Sequence, residues 1–343
     1  MGKLRYIGSK ARLTNQIVGV LGKPLARQRF VDLFAGTGVV SRAAADAGWI
    51  IFANDHLAAA TVLTSARLMS KIEVPFKKTG GYSATLEHLN KLDAVEGFFF
   101  REYSPVGLNC AGTARPYFSE HNAKRIDAVR AEIKRLRVLR RITAHEHTLL
   151  LADLMEATNQ VANIAGTYGC FLKKLTPSAQ RHIHLSQRPL PSEAHPWHTT
   201  TADVFTVKME VADVVYLDPP YTKRHYGAYY HILETIAQED EPIVNGITGL
   251  RPWEEKASPF CYKTKAAAAF QQLITQIKAH RILISYSSDG HISFEQLNSI
   301  IDKHGKATVH KIPGFGRYSP NEQSRKNSAT INLVEYIFDL KRD

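Results

Sequence analysis

The residues with the clearest chemical capacity are Asp218-Pro219-Pro220-Tyr221. They follow an apolar run, Val214-Val215-Tyr216-Leu217, that reads as a buried strand. Two prolines cannot continue a hydrogen-bonded ladder, so the strand must stop at Asp218. The acid is thereby placed at a strand's carboxyl end, the side on which open α/β sheets hold ligands. Fixed φ angles stiffen the turn and set the Tyr221 ring beside the carboxylate. A planar amine needs such surroundings: acceptors for its N–H bonds and an aromatic face to stack on. An ordinary strand-ending Asp-Pro turn spells the same four letters, so the rest of the chain has to decide between the two.

A second group lies near the start. Arg29-Phe30-Val31-Asp32-Leu33-Phe34 reads as a strand, and Gly36 and Gly38 permit a sharp turn and close approach of a ligand to the backbone. A helix follows from about Val39 to Gly48. A second strand, Trp49 to Ala53, ends in Asn54-Asp55. This is a βαβ nucleotide-binding unit, with Asp55 where such units carry the acid that binds ribose hydroxyls. Its glycine pattern is GxG rather than GxGxxG, because Ser41 stands in the last place. That weakens a dinucleotide reading. Upstream, Lys10 sits near the start of a helix-like run to about Leu21, where its charge and the helix-end N–H groups suit a carboxylate.

These groups need a scaffold, and 343 residues are enough for two domains. Hydrophobic content of 44% and charged content of 22% are ordinary for a soluble globular protein. The net charge of +12 points to a polyanionic partner, most simply nucleic acid. Cys110, Cys170 and Cys261 form no CxxC pair, which argues against a zinc site or a disulfide framework and fits a reducing cytoplasm. The first residues lead into no apolar signal segment, and no apolar run is long enough to span a membrane.

From about Lys71 the pattern changes. Asn122 to Arg141 reads as a helix with Ile126, Val129, Ile133, Leu136 and Leu139 on one face and six more basic than acidic residues. Charged helix faces are usually just solvated, but this imbalance of sign favours phosphate contact, with Arg130 and Lys134 as candidates. Gly166 to Lys174 is a glycine-hinged loop carrying Tyr168, Lys173 and Lys174, suited to a DNA groove or backbone. Thr176 to Thr200 is rich in Pro, His and Ser and reads as linker. Its histidines recur with no Cys or carboxylate partner, so no metal is expected. Strand-like character returns at Ala202 to Phe205. After Tyr221 come Arg224, His225 and Tyr226, a second candidate stretch for contacting DNA, and then helix-like Tyr229 to Ile236. An amphipathic helix around Phe270 to Ile277 and a strand at Arg281 to Tyr286 follow. Runs at Ala307 to Ile312 and Ala329 to Phe338 fit a closing hairpin.

Taken jointly, these motifs resemble the alpha group of amino-methylating DNA methyltransferases, the adenine-N6 enzymes with S-adenosylmethionine as donor. The resemblance covers most of residues 1–70 and 200–340. Leu4 to Lys10, including Tyr6, looks like the group's N-terminal motif for the methionine moiety of the donor. Asp32, Phe34, Gly36 and Gly38 are similar to its DxFxGxG donor loop. Asp55 matches the ribose-binding acid, and Asp203 with Val204 resembles the pair that holds the adenine. Asp218, Pro219, Pro220 and Tyr221 match the catalytic tetrapeptide letter for letter. The implied fold is α/β: a Rossmann-like sheet with helices on both faces, formed by residues 1–70 and 186–343. A mainly helical target recognition domain is inserted at 71–185. The implied activity is site-specific methylation of a flipped-out adenine in double-stranded DNA, without metal, by a cytoplasmic monomer. The settings are a restriction-modification system with its cognate endonuclease, or an orphan or phage methylase. Cytosine-N4 and RNA amines stay open as targets. A NAD-type dehydrogenase shares the βαβ start but gives Asp-Pro-Pro-Tyr no purpose. A catalytically silent DNA-binding protein explains the charge but not the donor loop.

Overall fold

The computed structural model describes residues 6–107, 112–313 and 333–342. Leu4, Arg5, Cys110 and positions 329–332 of the expected last strand lie outside these residues.

Seven strands form one sheet: β1 (Arg29–Asp32), β2 (Ile50–Asp55), β3 (Trp197–Thr201), β4 (Val214–Leu217), β5 (Arg281–Ser287), β6 (Lys306–Pro313) and β7 (Val334–Lys341), in the order β3-β2-β1-β4-β5-β7-β6. The strands from β3 to β5 are parallel, while β7 runs antiparallel to both β5 and β6. The expected βαβ start and the closing β6–β7 hairpin are therefore both present. Every residue of β4 is buried, as a central parallel strand covered on both faces requires. One expectation changes here. The stretch to Thr200 is expected as linker, yet Trp197 to Thr201 pairs with β2 from Ile51↔Trp197 to Asp55↔Thr201. Its run of β-branched threonines suits an edge strand. Ala202 to Phe205 is expected as strand, but Val204–Thr206 is instead a single 3-10 turn capped by Asp203.

In chain order the helices are α1 (Thr14–Leu21), α2 (Val39–Asp46), α3 (Ala58–Leu68), α4 (Tyr82–Lys91), α5 (Phe98–Tyr103), α6 (Glu120–Val138), α7 (Ala144–Gln160), α8 (Pro177–Gln180), α9 (Tyr226–Tyr229), α10 (His231–Gln238), α11 (Ala266–Gln276) and α12 (Phe294–Ile301). One sheet face packs Val31, Val215, Leu217 and Ile284 against Phe270, Leu273 and Ile274 of α11 and Leu297 and Ile301 of α12. The other packs Phe30, Ile51, Val214 and Tyr216 against Leu13, Ile17 and Leu21 around α1 and Val40 and Ala44 of α2. The sheet is thus the expected α/β layer with helices on both faces.

The chain divides into two compact units. The sheet unit comprises Ile7–Leu68, His195–His225 and the chain from Lys256 onward. The second unit comprises Tyr6, Met69–Ala194 and Tyr226–Glu255. The expected insert at 71–185 is close to the middle segment. The second unit also takes α9, α10 and the loops after them, which the sequence reading had left with the sheet. Its core is aromatic: Phe98, Phe99, Tyr103, Tyr117, Phe118 and Tyr168 are all buried, along with Leu149, Leu150 and Leu154 of α7. Buried side chains tie the extra segment into this unit. Arg115 donates to Ile247 O (3.3 Å) and Gly246 O (3.2 Å), Tyr117 Oη to Thr248 O (3.1 Å) and Tyr103 Oη to Gly249 O (2.9 Å). Four consecutive carbonyls of residues 246–249 are satisfied in this way, which fixes the turn.

Candidate active site

β1 and β4 are neighbours at the centre of the sheet, and the chain leaves them toward opposite edges. Their carboxyl ends form the switch point where doubly wound sheets hold ligands. Asp32 ends β1 and Asp218 follows β4, with Asp32 in register with Tyr216. The double proline stops β4 as expected, and the Tyr221 carbonyl accepts from His291 N at 2.8 Å, holding the turn against the loop after β5.

Lys10 is 4% exposed and lies at this end of the sheet. Its Nζ is 3.3 Å from Asp218 Oδ1, 3.1 Å from Glu335 Oε2 at the start of β7, and 5.0 Å from the centroid of the Tyr221 ring. Burial works to lower the ammonium's pKa. The charge of Asp218, then the influence of Tyr221 and Glu335, outweighs it and holds the group well above its ordinary range. Burial also pushes the Asp218 carboxyl up to about 7, with Lys10 pulling it down and Glu335 pushing it further up. Asp32 is likewise raised to about 7 by burial, against the Ser41 hydroxyl that donates to it at 2.6 Å. Raised carboxylates clustered at one end of a sheet are what a functional site produces, although ion-pair networks do so too.

The glycine turn is built as its residues imply. Gly36 and Gly38 have φ of 55° and 71°, in the left-handed region that favours glycine. A Cβ on Gly38 would stand 2.8 Å from the Thr64 Cα, so the backbone of α3 presses directly on the turn. Asp55 ends β2 and fixes the loop: Oδ2 accepts from Gly36 N at 2.8 Å and Oδ1 from Leu57 N at 3.0 Å. Asp203 accepts from Phe205 N at 3.0 Å. Phe205 stacks on Phe260, and Phe34 meets the same ring edge-on at 5.5 Å. Val204 is buried beside them in the same core. Of the proposed donor-binding residues, Lys10, Asp32, Phe34, Gly36, Gly38, Asp55, Asp203 and Val204 all belong to the sheet unit. Tyr6 belongs to the second unit, where its ring stacks on Tyr230 at 4.4 Å.

A family model described as D12 class N6 adenine-specific DNA methyltransferase matches residues 6–300. The chain belongs to this D12 family. It is 33% identical to the type II methyltransferase M.NlaIII of Neisseria lactamica, covering 99% of both chains. It is also 33% identical to the type II methyltransferase M.FokI of Planomicrobium okeanokoites, across 99% of this chain but 53% of the relative. The modification methylase StsI of Streptococcus sanguinis is 31% identical, with 99% of this chain matching 52% of the relative. Membership in a methyltransferase family implies a methyl donor and a DNA substrate. Among the described residues no helix is long and apolar enough to cross a membrane, and no cluster of His, Cys, Asp and Glu could hold a metal ion.

For a D12 chain, the candidate DNA contacts are placed unevenly. Lys134, Lys173 and Lys174 are exposed. Arg130 and Tyr168 are not, and for these two the expectation of DNA contact is corrected. The Arg130 guanidinium donates to Asp240 O at 2.7 Å, and its carbon lies 5.3 Å from the Phe99 ring centroid. Tyr168 is fully buried, its hydroxyl donates to Asn159 Oδ1 at 3.4 Å, and its carbonyl is held by Tyr117 Oη and His231 Nε2. It anchors the loop that it was expected to extend. Leu139, expected on the buried face of α6, is 54% exposed because the helix ends at Val138. In the sheet unit, Arg224 and His225 are partly exposed. The Arg224 carbonyl accepts from Cys261 Sγ at 3.2 Å, and His225 tilts against Tyr262. Tyr226 packs against Tyr6 and Tyr230 in the second unit. Glu335, Ser41 and Thr64 had not been singled out in the sequence. Only Glu335 carried a signal, as an acid interrupting the apolar run Val334 to Phe338.

Proposed function

We propose that this chain transfers a methyl group from S-adenosylmethionine to the N6 amine of adenine at a specific site in double-stranded DNA. The observation that supports it best is the placement of Asp218 at the sheet's switch point, close to Lys10 and followed by the Tyr221 turn. The residues present suit the donor. A turn with two left-handed glycines, closed behind by Thr64 and pinned by a carboxylate at the end of the next strand, brings bare backbone to a ligand. Asp55 would hold the ribose, the Asp203–Val204 corner the adenine ring, and Lys10 with the turn after β1 the methionine part.

S-adenosylmethionine supplies, when bound, an electrophilic methyl group on a sulfonium. The protein's part is to make a poor nucleophile ready. The lone pair of an exocyclic purine amine is delocalised into the ring. The Asp218 carboxylate and the Pro219 carbonyl would accept its two N–H bonds and draw the nitrogen toward tetrahedral geometry. Tyr221 would stack on a base turned out of the duplex, and the fixed prolines keep the three groups in one arrangement. An ionised Asp218 is needed to accept the N–H and afterwards to take the proton. Activity should therefore rise with pH through the region near 7 in which this carboxyl titrates.

Sequence choice is assigned to the second unit, whose exposed Lys134, Lys173 and Lys174 suit phosphate contact. A single polypeptide acting as a monomer within the cytoplasm suffices for this reaction. The names of the relatives, type II methyltransferases and modification methylases, support a restriction-modification setting with a cognate endonuclease. The test is transfer of labelled methyl from S-adenosylmethionine to duplex DNA, with single-molecule sequencing of the product to locate it. Labelled N6-methyladenine in one sequence context is the expected result. Label on cytosine or RNA would overturn the adenine assignment, and no transfer at all would leave a DNA-binding protein.

A further inference from the structure

The Lys10 ammonium is shared unequally by two carboxylates. Nζ donates a hydrogen bond to Glu335 Oε2 at 3.1 Å. It is also 3.3 Å from the buried Asp218 Oδ1, a longer and less well aligned contact within ion-pair range. Glu335 thus takes the shorter and better aligned of the two contacts, and the ammonium's charge is shared with Asp218. This division matters because each ammonium N–H that Asp218 accepts occupies one of the lone-pair sites open to an incoming amine. A carboxylate with a bare, desolvated oxygen beside a cation keeps both its charge and its accepting capacity.

We propose that Glu335 is a positioning residue for methyl transfer: it takes the best aligned N–H of Lys10, so that the ammonium's contact with Asp218 stays loose and Oδ1 keeps accepting capacity for the N–H of the target amine. This rests on the catalytic reading of Asp218 and adds a residue from the far strand of the sheet. β7 pairs with β5 through Ser287↔Glu335, so the strand order itself delivers this acid to the crevice. The other groups that face the pair are Tyr216 from β4, Tyr221 after it, Asp32 from β1 and, toward Tyr221, Arg224. None of these is hydrogen-bonded to Nζ among the described residues, which leaves Glu335 to orient it.

The test is kcat and KM for methyl transfer across pH in the wild type, Glu335→Gln and Asp218→Ala, with donor binding followed by calorimetry. Glu335→Gln keeps an oxygen and the shape but removes the charge that competes for Lys10. The ammonium then turns to Asp218. The expected kcat is lower on the order of tenfold, the effect of one competing charge-assisted hydrogen bond. The acid limb of the kcat profile moves to lower pH, because the charge that pushed the Asp218 carboxyl up is gone. KM for the donor changes less than kcat. A merely structural role would not move the acid limb. An unchanged kcat with an unmoved acid limb, or a loss confined to donor binding, overturns the proposal. Should Glu335→Gln fail to fold by circular dichroism, Glu335→Asp draws the charge back by one methylene and is expected to shift the limb in the same direction, more weakly. An unmoved limb there overturns the proposal equally. Turnover surviving in Asp218→Ala would instead refute the catalytic reading beneath it, a separate outcome.

Discussion

At the carboxyl end of the sheet, Lys10 and Asp32 are buried, Asp218 is largely so, and the titration of all three is displaced from the ordinary range. Along α6 of the second unit, charge is just as dense but is spent locally. Arg125 donates to Leu89 O and Asn90 O, Arg130 to Asp240 O, Lys124 pairs with Glu96 and Glu120, and Arg135 with Glu132. Both regions are rich in charge, but in the first the strongest influences on each buried group are burial and the other charges, whereas along α6 most are answered by backbone groups or by exposed partners. The difference is one of partners. A buried charge answered by backbone carbonyls is scaffold, whereas buried charges answered mainly by one another are poised for chemistry.

The comparison breaks first at Asp218. Asp218→Ala should reduce methyl transfer on the order of 10²–10³-fold or more, while calorimetry finds the donor still bound. Substantial residual turnover would end the claim that the carboxyl end of the sheet is the reactive region. Next, Gly38→Ala should cost on the order of 3 kcal/mol of stability in urea unfolding. The added Cβ meets the Thr64 Cα and the residue must hold a left-handed φ. Donor binding should weaken with it, and a variant as stable as the wild type would show that the turn is less fixed than its contacts imply.

The second region is tested by a pair of changes. Arg130→Ala should lower stability by about 1.5–3 kcal/mol, because it removes a buried charged donor from Asp240 O. It should leave the salt dependence of DNA binding nearly intact. Lys134→Ala should do the reverse: stability unchanged, and the slope of log affinity against log salt flatter by about one unit. If Arg130 flattened the slope instead, the scaffold reading of α6 would be wrong. The last test concerns pH. Asp32 titrates near 7 when folded and near 3.8 otherwise, so the folded form holds its proton more tightly. Its contribution is complete below about 4 and is lost as pH rises through about 7. Asp32→Asn, which cannot ionise, should therefore be the more stable protein at pH 8 by urea titration. It should lose that advantage toward pH 4. A constant gap between the two would show that Asp32 is not responsible.

What could be read beforehand followed from how local each determinant is. Asp32, Gly36, Gly38 and Asp55 lie within one βαβ unit, and their placement at its two strand ends needs only strand length and turn chemistry. Asp218 to Tyr221 carry their own stop signal in two prolines. The burial of Arg130 and Tyr168 depends on residues far away in the chain, Asp240 and His231, so periodicity could not reveal it. The same holds for Glu335, which gains its meaning only when β7 inserts between β5 and β6. β3 was hidden by the polar composition of an edge strand. The membership of Tyr226–Glu255 in the second unit was hidden because its anchors, Arg115, Tyr117 and Tyr103, stand more than a hundred positions upstream.

The interleaving of the two units also has a kinetic side. β1 and β2 are close in sequence, but β4 joins β1 by pairing Phe30 with Val214, across the whole middle segment of the second unit. Closing such a loop grows costlier only slowly with its length, roughly 0.6 kcal/mol for each doubling. The middle segment can therefore lengthen or be rebuilt with little effect on the sheet's stability. The rate is another matter, since pairings between distant residues form late in folding. β3 and β4 both pair across that segment, so Asp218, which follows β4, meets the donor-loop residues only where this long loop closes.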